Sequence, residues 1–262
     1  MKPDPIWARK HRGIFIFAAG YSLHSGMGRT NFFQFKQFRI SQEKAAMKVG
    51  IDGVLLGAWA DFDGASRILD IGTGTGLIAL MAAQRSCAII DAVEPEPEAA
   101  SEALFNFRSS EWHSRINLEV CTFQAFDTIR KYDHIVSNPP FFENSPKPVV
   151  AKRAQARHSD SLSLEGLLEK AAHLLSPAGK ISVILPFEKE ERLRFLVRKN
   201  ALFIRRLSRV APDEVKRPHR LLAELTASPG PEQVDDILIR RAGSSDYTTQ
   251  YRELTREFYL SF

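Results

Sequence analysis

The stretch Val136-Ser137-Asn138-Pro139-Pro140-Phe141-Phe142 sets a carboxamide and two consecutive prolines between an apolar run and two aromatic rings. Proline fixes its own φ, lacks an N–H and restricts the residue before it, so Asn138-Pro139-Pro140 holds the chain in an extended turn. Two acceptors, the Asn138 side-chain oxygen and the Pro139 carbonyl, can then point at one spot. Acceptors aimed at a planar NH2 group draw on its protons and concentrate the nitrogen lone pair, which otherwise delocalises into the attached ring or carbonyl. Such a nitrogen can attack an activated methyl carbon. Phe141 offers a π-face for a planar substrate, worth about 1–3 kcal/mol for a nucleobase. The remaining catalysis is proximity and alignment, with no metal and no base of tuned pKa required. Taken alone, the same residues also suit a rigid surface turn with its aromatics in the core, and Phe142 stays open between core packing and the base pocket.

A second cluster lies upstream, in Asp70-Ile71-Gly72-Thr73-Gly74-Thr75-Gly76. Alternating glycines let a backbone turn sharply and approach a ligand closely, and a helix N-terminus after them presents amide donors. The dinucleotide fingerprint G-x-G-x-x-G is not met, because Leu77 stands at its third glycine. Glu94, eighteen residues beyond Gly76, can accept both hydroxyl protons of a ribose. Asp70 would repel a pyrophosphate but suits a ligand carrying ammonium and sulfonium charges. Those properties describe S-adenosyl-L-methionine.

Both clusters need a sheet edge to hold them. From residue 66 onward short β-rich runs alternate with helical patterns, the signature of a parallel sheet covered by helices. Strands are expected near Arg67–Ile71, Ala88–Val93, Ile116–Val120, Tyr132–Ser137, Lys180–Leu185, Phe203–Val210 and Leu221–Thr226. Helices are expected near Leu77–Gln84, Glu96–Phe107, Ser163–Leu174 and Lys189–Lys199. The last two strands lack an intervening helix, so they predict an antiparallel hairpin at one sheet edge. Pro177-Ala178-Gly179 reads as the stop and turn before the fifth strand. Toward the end of the chain stand a strand candidate, Asp236–Arg240, and a helix-like segment, Thr248–Tyr259. Residues 31–262 read as one domain after an N-terminal arm, 1–30, without periodicity and expected to be poorly ordered; Met27 is an alternative start.

With 44% hydrophobic and 26% charged residues the chain has ordinary globular composition. Gly13 to Gly20 is far too short to span a bilayer, and residues 21–30 hold no convincing signal-peptide cleavage site, so no membrane span and a cytoplasmic location are expected. Cys87 and Cys121 sit in apolar stretches, which predicts buried thiols rather than a disulfide framework. Net charge is +5: residues 1–60 carry nine Lys/Arg against three Asp/Glu, residues 61–150 seven against thirteen, and residues 151–262 twenty against fifteen. Basic ends around an acidic middle fit a polyanionic partner or a solvated surface. The segment Arg192 to Arg220 concentrates ten Lys/Arg against two Asp/Glu. Arg205, Arg206, Arg209, Lys216, Arg217 and Arg220 are its candidate phosphate contacts.

D-x-G-x-G-x-G with a carboxylate ending the next strand resembles a class I, Rossmann-like methyltransferase. The resemblance implies a seven-stranded, mostly parallel sheet with an antiparallel edge hairpin and helices on both faces. NPPF resembles the (N/D)-P-P-(Y/F/W) box of amino methyltransferases. With KVGIDGVLLGAW (48–59), FKQF (35–38), ARH (156–158), RPHR (217–220) and EFYL (257–260), the chain over about 32–262 resembles the bacterial tRNA adenine-N6 methyltransferase family, which modifies the adenosine 3′ of the anticodon in a valine tRNA. That resemblance implies that Asp70, Gly72, Gly74, Gly76 and Glu94 hold the cofactor, with Lys48, Gly50 and Asp52 at its methionine end. It also implies that Asn138, Pro139, Pro140 and Phe141 hold the adenine. His158 is open between a structural role and an RNA contact. One departure stands out: an Asp usual beside the cofactor's adenine is missing at Gln124-Ala125-Phe126, with Asp127 one place late, so backbone amides or Gln124 take that part. A protein glutamine N5-methyltransferase is the enzymatic alternative, though about 30 irregular residues before FFQF are too few for its separate helical domain. A non-catalytic RNA-binding module is the other. A monomer is expected.

Overall fold

Strands buried on both faces read as nearly continuous apolar runs, and four neighbouring strands of this chain do so. The computed structural model describes residues 31–43, 48–140 and 162–261. Phe141, Phe142, His158 and the N-terminal arm lie outside them.

A short antiparallel ribbon, β1 (Phe32–Gln34) and β2 (Arg39–Ser41), precedes α1 (Ile51–Trp59). Next in the chain are β3 (Arg67–Ile71), α2 (Leu77–Arg85), β4 (Ile89–Val93), α3 (Pro97–Arg108), β5 (Ile116–Glu119) and β6 (Tyr132–Ser137). After these come α4 (Leu164–Leu174), β7 (Leu175–Pro186), α5 (Glu190–Lys199), β8 (Phe203–Ala211), β9 (Arg220–Thr226), β10 (Gln233–Leu238) and α6 (Thr249–Thr255).

The main sheet has eight strands in the order β10-β8-β9-β7-β6-β3-β4-β5. β3 to β7 pair in parallel, and β9 is antiparallel to both β7 and β8. The expected hairpin is therefore present, but it is not the edge. β10 adds an eighth strand outside it, parallel to β8. Most of β10 is exposed, so it lacks the apolar run that marks its buried neighbours.

α1, α2, α3 and α6 bury apolar side chains against one face, among them Leu55, Leu80, Phe107 and Tyr251. α4 and α5 cover the other face through Leu167, Leu168, Leu193 and Leu196. Chain direction across the sheet reverses between β3 and β6. In open α/β sheets ligands bind at such a switch point, beyond the carboxyl ends of the strands.

Two local expectations are corrected. Pro177-Ala178-Gly179 lies inside β7: Tyr132 pairs with Leu175 and His134 with Lys180, so the segment forms a bulge. Proline is tolerated there because a bulge leaves its missing N–H unneeded. Cys87 is exposed and Cys121 half-buried, both free, so neither is a buried thiol. Cys87 falls in the turn before β4 rather than in the strand. No described helix is long and apolar enough to cross a membrane.

Candidate active site

Three motifs meet because three neighbouring strands end at one level. Ile71 of β3 pairs with Val93 of β4 on one side and with Ser137 of β6 on the other. The glycine loop, Glu94 and Asn138 therefore leave adjacent strands together. Ser137 strengthens the junction by donating its hydroxyl to the Ile71 carbonyl at 2.9 Å.

Asp70 is fully buried at the end of β3. Its Oδ2 accepts from the Thr73 hydroxyl at 2.6 Å and from the Ala79 amide, in the first turn of α2, at 3.1 Å. Its Oδ1 is buried without a partner among the described residues. Burial pushes the carboxyl up to about 7, and the Thr73 and Ala79 hydrogen bonds pull against it. An unpaired carboxylate oxygen at this place is a vacant acceptor for a ligand's cationic donor. Thr73 lies within the glycine motif, but nothing in its spacing marked it as the partner of Asp70.

Glu94 is also buried, and burial raises its pKa. Its two oxygens accept the Gly74 amide at 2.8 Å and the Glu96 amide at 3.0 Å. The Gly72 and Thr73 amides donate to the Val93 carbonyl, and Gly76 donates to Thr73. Most loop amides are thus spent inside the protein, unlike the amide cradle expected of such a loop. What the loop offers a ligand is a bare surface: among the described residues, a Cβ added at Gly72 or Gly74 would meet nothing within 4 Å. Gly76 differs. Its added Cβ would collide with the Phe107 ring, so this glycine serves the packing of α3 against the loop.

Asn138 is half-buried, Pro139 buried and Pro140 exposed. The Asn138 Oδ1 is shielded from solvent and has no partner among the described residues. A buried acceptor left unmade costs on the order of 1–3 kcal/mol, which a donor from a bound substrate recovers. Phe141 falls outside the described residues.

The order of the strands lays the site out lengthwise. Acceptors stand over β6, the bare loop over β3 and the carboxylate over β4. Beyond them, Glu94 donates its amide to the last residue of β5, Glu119, at 3.1 Å. The loop after β5 folds tightly on Thr122, which accepts the Ala125 and Phe126 amides, and buries Phe123 and Phe126. Lys170 of α4 clamps it, donating to the Gln124 carbonyl at 2.9 Å and the Phe126 carbonyl at 2.6 Å. Gln124 and Asp127 are exposed.

The upstream candidates are placed differently. Lys48 is exposed, and Gly50 is the N-cap of α1 without a side-chain cap. Asp52 accepts from the Arg220 Nε at 2.7 Å, an ion pair joining α1 to the start of β9. Arg220 was expected at RNA and Asp52 at the cofactor; the structure joins them to each other at the same sheet end as Asn138. Other members of the basic run are also engaged. Arg206 lies 4.2 Å over the Trp59 ring and pairs with Glu224, and Arg209 pairs with Glu190.

The Methyltransferase small domain family matches residues 54–192. Curated relatives extend over most of the chain. One, named tRNA1(Val) (adenine(37)-N6)-methyltransferase, of Parabacteroides distasonis, is 44% identical over 231 residues, 87% of this chain and 98% of that protein. The same name is borne by a Trichodesmium erythraeum protein, 45% identical over 237 residues, 88% of this chain and 99% of its own. A Vibrio vulnificus protein so named is 39% identical over 239 residues, 91% and 99% respectively. Among solved structures, a predicted O-methyltransferase, protein Atu636 from Agrobacterium tumefaciens, is similar with TM-score 0.59 at 16% identity, covering 79% of this chain and 96% of that one. The glycopeptide N-methyltransferase MtfA, complexed with S-adenosyl-L-methionine, reaches TM-score 0.51 at 13% identity, over 68% and 95%. At such identities these likenesses speak to the fold.

Proposed function

The chain belongs to the tRNA1(Val) (adenine(37)-N6)-methyltransferase family, and from that premise we propose that it transfers a methyl group from S-adenosyl-L-methionine to the exocyclic N6 amine of adenine in tRNA. The observation that carries this reading is the Asn138 Oδ1, an unpartnered acceptor beside the glycine loop at the switch point of the sheet.

The residues fit the cofactor. The vacant Asp70 Oδ1 suits its ammonium, the bare Gly72 and Gly74 surface suits its methionine portion, and Glu94 retains lone pairs for ribose hydroxyls. Bound there, S-adenosyl-L-methionine supplies a methyl carbon activated by an adjacent sulfonium. The loop after β5 then flanks the cofactor's adenine, with Lys170 setting its shape.

On the substrate side, Asn138 Oδ1 and the Pro139 carbonyl accept hydrogen bonds from the two N–H groups of the amine and turn the N6 lone pair out of the purine ring. The new N–C bond forms as the C–S bond breaks, and the surplus amine proton leaves to water. Alignment of nitrogen, carbon and sulfur carries most of the acceleration. The resemblance assigns the stacking of the target base to Phe141, which lies outside the described residues. An adenosine in an anticodon loop is partly unstacked, so extruding it costs little. The reaction runs in the cytoplasm, where free thiols such as Cys87 persist.

A glutamine side chain is also a planar amide and could meet the same acceptors. Methyl-labelled cofactor offered with unmodified tRNA and, separately, with a glutamine-containing peptide separates the two: label in tRNA adenosine supports the reading, and label only in the peptide overturns it.

A further inference from the structure

A run of cations is available to RNA only where the protein has not already neutralised it. Between Arg192 and Arg220, Arg192 and Lys199 pair with Glu165, and Arg194 with Glu190 and Glu232. Arg206 pairs with Glu224, Arg209 with Glu190 and Arg220 with Asp52. A phosphate that recruited any of these would replace one anionic partner by another, and much of the gain would be offset by the broken pair.

Position narrows the choice further. Arg220 pairs with Pro186 at the carboxyl end of β7, so the β8–β9 loop, residues 212–219, leaves the sheet at the same end as Asn138. Arg205, near the start of β8, lies about 20 Å back along the strand at ~3.3 Å per residue. Its guanidinium occupies the place where a Gly230 Cβ would stand. The six candidate phosphate contacts therefore do not form one patch.

The β8–β9 loop is built to hold a shape. Asp213 accepts the Val215 and Lys216 amides at 3.1 and 3.0 Å. His219 donates its amide to Val210 at 2.9 Å and accepts from the Phe187 amide at 3.2 Å. Its tip presents Val215, 82% exposed, beside Lys216, whose side chain is 67% exposed and pairs with Asp213 at 3.3 Å. Arg217 is exposed and has no ion pair among the described residues. Glu214 is the exposed acid on the same tip.

We propose that this loop is the arm that holds the tRNA backbone beside the acceptor site, with Arg217 (unpaired among the described residues) on a phosphate, Lys216 beside it, whose exposed pair with Asp213 costs little to loosen, and Val215 against a ribose or base. It rests on the tRNA reading above. The Asp213 turn presents the cations with little ordering cost on binding, and Glu214 limits the affinity by repelling the same phosphates.

The test is binding of an unmodified anticodon stem-loop RNA by fluorescence anisotropy over a range of salt, with cofactor affinity measured by calorimetry on the same preparations. The double variant Lys216→Glu/Arg217→Glu should bind RNA at least about tenfold more weakly, with the log–log salt slope reduced by about 0.7 for each lost contact. Glu214→Lys should move affinity and slope the other way. Arg198→Glu, a single charge reversal, half the charge change of the double variant, at an exposed site on α5, should stay within about twofold, and cofactor affinity should be unchanged throughout. Wild-type RNA affinity and slope in the double variant overturn the arm, as does equal damage from Arg198→Glu. A wild-type protein that methylates no tRNA overturns the tRNA reading and the arm with it; wild-type turnover with an unaffected double variant overturns the arm alone.

Discussion

Two glycines of one loop should fail in opposite ways when given a methyl group. Gly74 has φ 57° and Gly76 φ 84°, both in the left-handed region, so either alanine carries about 1–2 kcal/mol of backbone strain. The surroundings separate them. At Gly74 the new Cβ meets nothing, so strain is the whole cost to folding. At Gly76 it falls 2.9 and 3.2 Å from two carbons of the Phe107 ring and closer still to a third. That ring is buried in the core, so the collision adds about 1–3 kcal/mol of overpacking. Melting should drop by about 3 °C for Gly74→Ala and by about 7 °C for Gly76→Ala. Calorimetric affinity for S-adenosyl-L-methionine should invert that order. Gly74→Ala fills the surface assigned to the cofactor and should lose at least about tenfold, or 1.4 kcal/mol. Gly76→Ala, measured below its melting range, should stay within about threefold, since its methyl points at α3. Equal destabilisation by the two variants, or wild-type cofactor affinity in Gly74→Ala, would refute the assignment of the loop's open face.

Asp70 and Lys170 give two further tests. Asp70, held near 7 by burial, binds its proton in the folded state over a range where the unfolded chain has released it. Its contribution to stability therefore falls as pH rises from about 4 to 7 and is flat above. A cationic ligand prefers the ionised form, so cofactor affinity should rise about tenfold between pH 5.5 and 7, with a proton released on binding; Asp70→Asn should flatten that profile, and a flat wild-type profile contradicts the pairing. Lys170→Met removes both donors to the Gln124 and Phe126 carbonyls and should raise the cofactor KM several-fold with kcat little changed, and Lys170→Arg should recover part of it; an unchanged KM shows that the loop holds its shape without the clamp.

The central strands could be read because burial writes itself into local sequence. Arg67–Ile71 and Tyr132–Ser137 occupy the expected bounds, and their apolar runs end where the chemistry begins. Elements whose character depends on a distant partner are only partly legible. The strand candidate Asp236–Arg240 overlaps β10 but misses its exposed first half, which becomes strand only through β8. Pro177 looks like a stop but sits in a bulge that Tyr132 and His134 define from across the sheet. The basic run shows the same limit. Its cations are contiguous in sequence, while Glu165, Glu232 and Asp52, which neutralise several of them, come from α4, the β9–β10 connection and α1. Site residues divide in the same way. The motif spacing pointed to Asp70, Glu94 and Asn138, whereas the Asp52–Arg220 pair and the Lys170 clamp required the fold.

Activation of an adenine amine by Asn138 is the step on which the proposed reaction depends. Nucleoside mass spectrometry reads it out, using unmodified tRNA incubated with S-adenosyl-L-methionine and either the wild-type protein or Asn138→Ala. N6-methyladenosine should form with wild type and fall at least about a thousandfold in rate with Asn138→Ala, while cofactor affinity stays within about tenfold. Methyladenosine formed by the variant at the wild-type rate, or no methyladenosine from the wild type, would contradict it.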